Sequence, residues 1–210
     1  MTTPEPRDRR NAAHTRERIL DAALEEFAAK GYSGARTAGI ARRAGVNQQL
    51  ISYHFGGKEG LLRELRGRWQ ARRAKLAPSA PAESFPASFA AALDATLSDP
   101  RSARMVIWRS LGDHPDDAEE SAQEWRTVAA AAVRRMRERQ AAGEIGDRLE
   151  PEFATLLTFL LSFAPVALPQ LIEAIYGVDP LSAEYRELVA AQLSALLDVR
   201  TEPEQPPSEG

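Results

Sequence analysis

Four side chains that can contact nucleic acid lie close together in the sequence, shortly after Gly45. They are Gln48, Gln49, Tyr53 and His54. Side-chain amides, hydroxyls and ring nitrogens are groups that bond base edges and phosphate oxygens. In a helix over Asn47–Phe55, the apolar Leu50 and Ile51 lie on the other side and anchor it. The four polar or aromatic groups are then left facing outward. This pattern predicts direct contact with DNA.

Two short helix patterns joined by a tight turn position these groups. The segment Thr37–Ala44 reads as one helix, Gly45 as the turn, and Asn47–Phe55 as the second helix. Such a pair is a helix-turn-helix, whose second helix is sized to enter the DNA major groove. Thr37 and Asn47 are predicted to cap the amino ends of their helices.

A longer amphipathic helix precedes this pair. Arg16–Lys30 carries Ile19, Ala23 and Phe27 at helical spacing, so one face is apolar. Thr15 is the predicted amino-terminal cap, and Gly31 is the predicted end of the helix.

The order RERILDAALEEFAAKGYSGARTAGIARRAGVNQQLISYHFGGKEGLLREL resembles the N-terminal domain of the TetR family of bacterial transcriptional repressors. The resemblance covers about residues 14–65. It implies an all-α homodimer with a three-helix DNA-binding head, a connecting fourth helix, and a C-terminal ligand-binding and dimerisation domain. It further implies a sequence-specific regulator that a small-molecule effector releases from a palindromic operator in double-stranded DNA.

The resemblance assigns roles by position. Thr37 and Lys58 fall where family members commonly contact phosphate, and Gln48, Gln49 and Tyr53 fall where they contact bases or backbone. His54 also fits a phosphate contact. Three residues depart from the family pattern. Ser52 lies where tyrosine is the commonest residue, Gln49 lies where the residue is typically small, and Gly57 replaces the usual Ser or Asn cap. The predicted DNA-contacting residues are Arg36, Thr37, Arg42, Gln48, Gln49, Ser52, Tyr53, His54 and Lys58.

Charge is divided unevenly along the chain. Residues 1–76 contain 16 Lys and Arg against 8 Asp and Glu, whereas the remainder contains 11 against 22. A basic head is attracted to the phosphate backbone, and an acidic body is repelled from it. The arginines and lysine between Arg63 and Lys75 fit either DNA contact or simple solvation of a long helix.

The remaining sequence predicts five more helices and no strand. We expect a disordered tail over 1–12, a DNA-binding domain over 13–73, a helical regulatory domain over 78–199, and a second disordered tail over 200–210. Helices at about 151–175 and 180–198 are predicted to pair with their copies in a second subunit. The apolar residues proposed for this dimer interface are Leu157, Leu161, Leu188 and Leu196.

An effector pocket is also predicted in the C-terminal domain, for a small apolar or aromatic molecule. Aromatic and methionine side chains adapt to ligand shape, and hydroxyls can bond its polar end. The alternative is that the same side chains fill a solid core. The residues are Phe89, Met105, Trp108, Trp125, Thr155, Thr158, Phe159, Ser162 and Phe163.

Two competing interpretations remain open. Residues 153–172 are uncharged over about the length that spans a bilayer, although Pro165 and Pro169 interrupt them. A membrane-anchored protein is therefore a competitor, less favoured than a dimer helix. An effector-independent structural DNA-binding protein is the other alternative.

Composition argues against several other classes. The chain has no cysteine, which excludes disulfides and thiolate metal sites and fits a cytoplasmic protein. Residues 1–13 lack the apolar region of a signal peptide. The histidines His14, His54 and His114 are scattered, and no nucleophile or phosphate-loop pattern occurs. We expect no enzymatic activity, no cofactor and no metal site.

Overall fold

The computed structural model of the chain describes residues 6–76, 84–115 and 118–199. These ranges contain ten α-helices and no strand, which confirms the predicted all-α class. The helices are α1 (Pro6–Gly34), α2 (Thr37–Ala44), α3 (Gln48–Phe55), α4 (Lys58–Leu76), α5 (Phe85–Leu97), α6 (Pro100–Ser110), α7 (Ala118–Ala141), α8 (Pro151–Ala167), α9 (Pro169–Tyr176) and α10 (Ala183–Leu196).

Helix α1 begins earlier than the sequence predicted. It starts at Pro6, so Thr15 lies inside the helix and is not its cap, and residues 6–12 of the predicted disordered tail are helical. Proline is well placed in a first helical turn, and no helix-breaking residue follows it before Gly31. At Gly31 the backbone leaves the helical region, with φ 69° and ψ −179°, where the end was predicted. The tail residues 1–5 and 200–210 lie outside the described residues.

Helices α1 to α4 share one apolar core. Its fully buried side chains include Ile19 and Phe27 of α1, Ile40 of α2, Ile51 of α3 and Leu61 of α4. Burying a side chain of this size contributes about 1.5–3 kcal/mol. Each helix therefore has at least one anchor in the core, and Ile19, Phe27 and Ile51, which the sequence predicted, are among them.

The chain divides into two compact units, and α6 belongs to the first with α1 to α4. The indole N–H of Trp108 donates to the carbonyl of Ala28 in α1 at 3.2 Å. At the other end of α6, the guanidinium of Arg101 donates to Asp21 at 2.9 Å. The sequence placed α6 in the C-terminal domain, because its apolar residues alone do not reveal which core they join.

The second unit contains α5 up to Asp94 and helices α7 to α10. Phe85 and Phe89 of α5 are buried and stack with their ring centroids 6.3 Å apart. The loop after α7 is fixed to the end of α10, where the Gly146 N–H donates to the carbonyl of Leu197 at 2.7 Å.

The apolar segment predicted as one helix over about 151–175 is two helices. Pro165 lies buried within α8, whereas Pro169 ends α8 and begins α9. A proline lacks the N–H that would continue the helix, but it fits the first turn of the next one. Among the described residues, no single helix has the length and apolar composition needed to cross a membrane. The pair α8 and α9 meets that requirement only together and is bent by 96° at the break.

The last helix begins at Ala183 rather than at the predicted Pro180. Ser182 caps it by accepting a hydrogen bond from the Tyr185 N–H at 3.2 Å. A serine hydroxyl satisfies one of the free amides of a first helical turn, which explains the later start.

Candidate nucleic-acid interface

The turn between α2 and α3 is made by a left-handed glycine. Gly45 has φ 63° and ψ 41°, a conformation that costs least for a residue without a Cβ. The following Val46 N–H donates to the carbonyl of Ala41 at 3.0 Å. Asn47 then caps α3, as predicted, by accepting a hydrogen bond from the Gln49 N–H at 2.9 Å. The helix-turn-helix is therefore fixed locally by its own backbone and cap.

Helix α3 turns most of its polar side chains outward. Ile51 is its fully buried anchor, and the ring of Tyr53 is 82% exposed. His54 is half-buried, with its ring against Tyr53 at a centroid distance of 5.0 Å. The predicted DNA-contacting residues that lie exposed on α3 are Gln48, Gln49, Ser52 and Tyr53.

Thr37 has a different partner from the one predicted. Arg36 occupies the cap position of α2, and no side chain bonds the free amides there. The Thr37 hydroxyl instead accepts a hydrogen bond from the Gln48 side-chain amide at 2.9 Å. This bond joins the first residues of the two helices of the motif and orients one of the predicted base-contacting side chains.

Lys58 is half-buried and held against the end of α1. Its ammonium group donates to the carbonyls of Tyr32 at 2.9 Å and Ala35 at 3.2 Å. It also lies 4.1 Å from the centroid of the Tyr32 ring, a cation–π distance. Lys58 thus has a structural role in the head in addition to its predicted phosphate contact.

The arginines near the motif differ in whether their charge is available to contact DNA. Arg36 and Arg42 are exposed. Arg43 is paired with Glu25 at 2.7 Å, and Arg68 on α4 is paired with Glu17 at 2.6 Å. The arginines of α4 therefore include at least one whose charge is already matched, which favours solvation and internal pairing for that residue.

Two arginines of α1 that were not predicted from the sequence bond the helix-turn-helix directly. Arg16 donates to the carbonyl of His54, near the end of α3, at 3.0 Å. Arg18 donates to the carbonyl of Ala44, the last residue of α2. No local pattern in the sequence reveals these bonds, because their partners lie 38 and 26 residues away.

Asp113, after α6, binds the last residues of α1, which follow the break at Gly31. Its carboxylate accepts a hydrogen bond from the Ser33 N–H at 2.9 Å. Burial opposes its ionisation, but the hydrogen bonds from Ser33 and Tyr32 and the charge of Lys58 outweigh it. The pKa of Asp113 is therefore below its usual value.

In the described ranges, no three His, Asp or Glu side chains are grouped as metal ligands would be. The acidic residues 116 and 117, which follow His114 in the sequence, lie outside those ranges.

The side chains predicted to line an effector pocket are divided between the two units. Met105 packs on the core of α1 to α4, and Trp108 bonds Ala28 there. In the second unit, Trp125 lies edge-on to Phe159 at a centroid distance of 5.8 Å, and Phe159 is 4.6 Å from Phe163. The structure therefore groups Trp125, Phe159 and Phe163 but assigns Met105 and Trp108 to the first unit.

The three hydroxyl groups predicted to bond an effector form hydrogen bonds within α8 itself. Thr155, Thr158 and Ser162 each donate to the carbonyl four residues earlier, at 2.7–2.8 Å. These hydroxyls retain oxygen lone pairs that can accept a bond. Their donor capacity, however, is used.

On α8, the exposed leucines are Leu156 and Leu160, each one residue before a leucine predicted for the dimer interface. Leu157 and Leu161 are half-buried, as is Leu188 of α10, whereas Leu196 is 53% exposed. The large apolar side chains most exposed on α8, α9 and the residue between them are Phe153, Leu156, Leu160, Leu168, Leu171 and Ile175.

Comparison with known proteins assigns both parts of the chain. The family model of bacterial regulatory proteins of the tetR family matches residues 19–65, and that of the tetracyclin repressor-like C-terminal domain matches residues 86–194. The chain belongs to the TetR family. As a TetR-family member it is a DNA-binding transcriptional regulator.

Relatives of known sequence support the same assignment. The TetR-family chain is 30% identical over 175 residues to the transcriptional repressor SCO4008 of Streptomyces coelicolor, a match that covers 80% of this chain and 86% of that protein. It is 53% identical over 47 residues to the regulator SrpR of Pseudomonas putida, which covers only 22% of either protein.

Solved structures share the fold. The transcriptional regulator SCO4942 of Streptomyces coelicolor superposes with a TM-score of 0.69 at 23% identity, covering 89% of this chain and 99% of that one. A regulatory protein of the tetR family from Rhodococcus RHA1 gives a TM-score of 0.68 at 21% identity, with coverage of 89% and 98%. At these identities the likeness concerns the fold.

Proposed function

We propose that this TetR-family regulator represses transcription by binding a near-palindromic operator as a homodimer, and that a small apolar or aromatic effector releases it. The observation that carries the DNA-binding part is the outward face of α3. Gln48, Gln49 and Tyr53 are exposed on a helix that is anchored from behind by Ile51. Such a helix can enter the major groove and present its amides to base edges.

Repression is supported by the relative that matches most of the chain. SCO4008, which is 30% identical to it, is a transcriptional repressor. A homodimer would present two α3 helices to DNA, so the operator half-sites are expected about one helical turn apart.

The dimer is supported by the apolar surface of the second unit. Phe153, Leu156 and Leu160 recur at helical spacing on α8, and each is more than half exposed. Leu196 of α10 is likewise 53% exposed. A contiguous apolar face of this kind is typical of a protein–protein contact. We propose that α8 and α10 meet their copies there, with Leu157, Leu161 and Leu188 packed behind the contact.

The effector site is proposed around the three aromatic rings of the second unit. Trp125, Phe159 and Phe163 are half-buried, and their contacts leave part of each ring accessible. An apolar or aromatic molecule would insert among these rings. It lowers operator affinity only to the extent that it binds more tightly to the conformation of the protein that does not bind DNA.

Selection of duplexes from a random-sequence pool, followed by transcription in vitro from a promoter that carries the selected duplex, tests the proposal. We expect one near-palindromic motif and reduced transcription. Tyr53→Ala should reduce binding, and Leu111→Ala, which alters another highly exposed side chain outside α3, should not. Equal binding to all duplexes would instead indicate a structural DNA-binding protein.

A further inference from the structure

We propose that Arg16 is a positioning residue for DNA recognition, which holds the carboxyl end of α3 at the angle that brings its polar face to the base edges. The inference rests on DNA binding by α3, as proposed above. It assigns a role to a side chain of α1 that is not itself among the predicted DNA contacts.

The guanidinium of Arg16 joins three elements of the head. One nitrogen, Nη1, donates to the carbonyl of His54 in α3 at 3.0 Å. The other, Nη2, donates to the carboxylate of Glu64 in α4 at 2.8 Å. The guanidinium carbon also lies 4.4 Å from the centroid of the Phe55 ring. Glu64 therefore fixes the direction from which the cation approaches α3.

Helix α3 is short, so a contact at its carboxyl end helps to set its angle. It has eight residues; Ile51 is fully buried, and Leu50 and Phe55 are partly buried against the same core. The turn after Phe55 is formed by Gly56 and Gly57, with φ of 72° and 100°. A Cβ built on either glycine would have no atom within 4 Å, whereas one built on Gly60 of α4 would overlap the carbonyl of Phe55. The amino end is held by the Asn47 cap. At the carboxyl end, Phe55 packs on the core, and Arg16 adds a hydrogen bond to the backbone of α3.

The chemistry of the contact suits a helix terminus. The last carbonyls of a helix have no partner within it and carry a partial negative charge. A guanidinium satisfies one such carbonyl with a charge-assisted hydrogen bond, which is stronger than a neutral one. Its second donor remains paired with Glu64, which limits the rotamers that Arg16 can adopt.

Arg68 provides a matched control. It is also an arginine of the head, and it also bonds Glu64, at 3.2 Å. Its other partner is Glu17 of α1, so its hydrogen bonds reach α1 and α4 and not α3. Arg16→Gln and Arg68→Gln therefore remove the same charge and disturb the same carboxylate, but only the first releases α3.

The test measures the affinity of both variants for the duplex selected by the wild-type protein and for a scrambled duplex of the same length. For Arg16→Gln we expect the affinity for both duplexes to fall, and the fall for the selected duplex to be on the order of tenfold greater. A tenfold factor is what the loss of one hydrogen bond to a charged group produces. For Arg68→Gln we expect the two affinities to fall by the same factor, since only charge is lost.

Amide hydrogen exchange in the free protein gives a second measurement that does not depend on DNA. Amides of residues 51–56 should exchange faster in Arg16→Gln than in Arg68→Gln, at a temperature where both remain folded. If the wild-type protein selects no duplex, the proposed function fails, and exchange alone decides the role of Arg16. An equal loss of selectivity in the two variants, or unchanged exchange over residues 51–56 in Arg16→Gln, would overturn the proposal.

Discussion

The carboxylate of Asp113 occupies the space beside the α-carbon of Gly31. A Cβ added at Gly31 would overlap Asp113 Oδ2 and lie 3.2 Å from the Trp108 ring. The backbone of Gly31, with φ 69° and ψ −179°, is also one that side chains rarely adopt. Two independent requirements therefore select glycine at the point where the end of α6 meets the end of α1.

Gly31→Ala is expected to destabilise the protein. The backbone strain alone costs about 1–3 kcal/mol, and the overlap with Asp113 adds to it. Gly67→Ala is the matched control, because Gly67 lies inside α4 with no atom near its missing Cβ. There, alanine should raise the free energy of unfolding by about 0.5–1 kcal/mol. Urea unfolding of the two variants measures both changes, and equal effects would contradict the structure around Gly31.

The charge of Asp113 predicts a dependence of stability on pH. Its pKa is lower in the folded protein than its ordinary value of 3.8, so the folded state favours the ionised form. The resulting stabilisation is fully present above that ordinary value and is lost as pH falls through the folded-state pKa. In thermal melts, Asp113→Asn should be less stable than the wild type near neutral pH, and the difference should shrink towards acid. A constant difference at all pH values would assign the effect to packing.

The exposed amides of α3 predict base-specific effects. Gln48→Ala and Gln49→Ala should each relax preference at one operator position by about 1–3 kcal/mol. Because Thr37 holds the Gln48 amide, Thr37→Val should affect the same position as Gln48→Ala. Lys58→Ala should weaken binding to all duplexes alike. Gel-shift titrations on single-base operator variants measure these effects, and unchanged affinity in all four variants would remove the motif from the interface.

Much of the DNA-binding head could be predicted because its signals are local. Gly45 and Asn47 define the turn and the cap of α3 within a few residues, and the apolar spacing of α1 marks its buried face. The partner of Thr37 was predicted wrongly because a side chain eleven residues away competes for its hydroxyl. The bond from Arg16 to His54 joins residues that are 38 positions apart, which no local pattern in the sequence reveals.

The C-terminal part was less predictable because its helices are apolar on more than one side. Met105 and Trp108 have the composition of pocket residues, yet they pack on the head. On α8, spacing alone did not distinguish Leu157 from Leu156, since both fall within a broad apolar stripe. In the structure Leu157 is half-buried and Leu156 is 53% exposed, a difference that depends on how α8 packs on its neighbours.

The aromatic group of the second unit predicts a fluorescence response. An apolar or aromatic effector that inserts beside Trp125 should change its emission and lower operator affinity over the same concentration range. Trp125→Phe should remove the emission change, whereas Phe159→Ala should weaken effector binding. A panel of aromatic and long-chain apolar compounds provides the probes. A compound that lowers operator affinity without altering Trp125 emission would locate the effector site elsewhere.

The exposed leucines of α8 and α10 predict that charge on this face separates the subunits. Leu160 is 55% exposed and Leu196 is 53% exposed in the single chain. Burying such a side chain in a dimer contributes up to about 1.5–3 kcal/mol, and each substitution occurs twice in a symmetric interface. Leu160→Glu and Leu196→Glu should therefore shift sedimentation from dimer to monomer. Operator affinity should fall with it, because one subunit contacts only one half-site.

Leu111→Glu is the control, since Leu111 is 73% exposed but belongs to the first unit, after α6. If all three variants sediment as dimers, α8 and α10 do not form the interface.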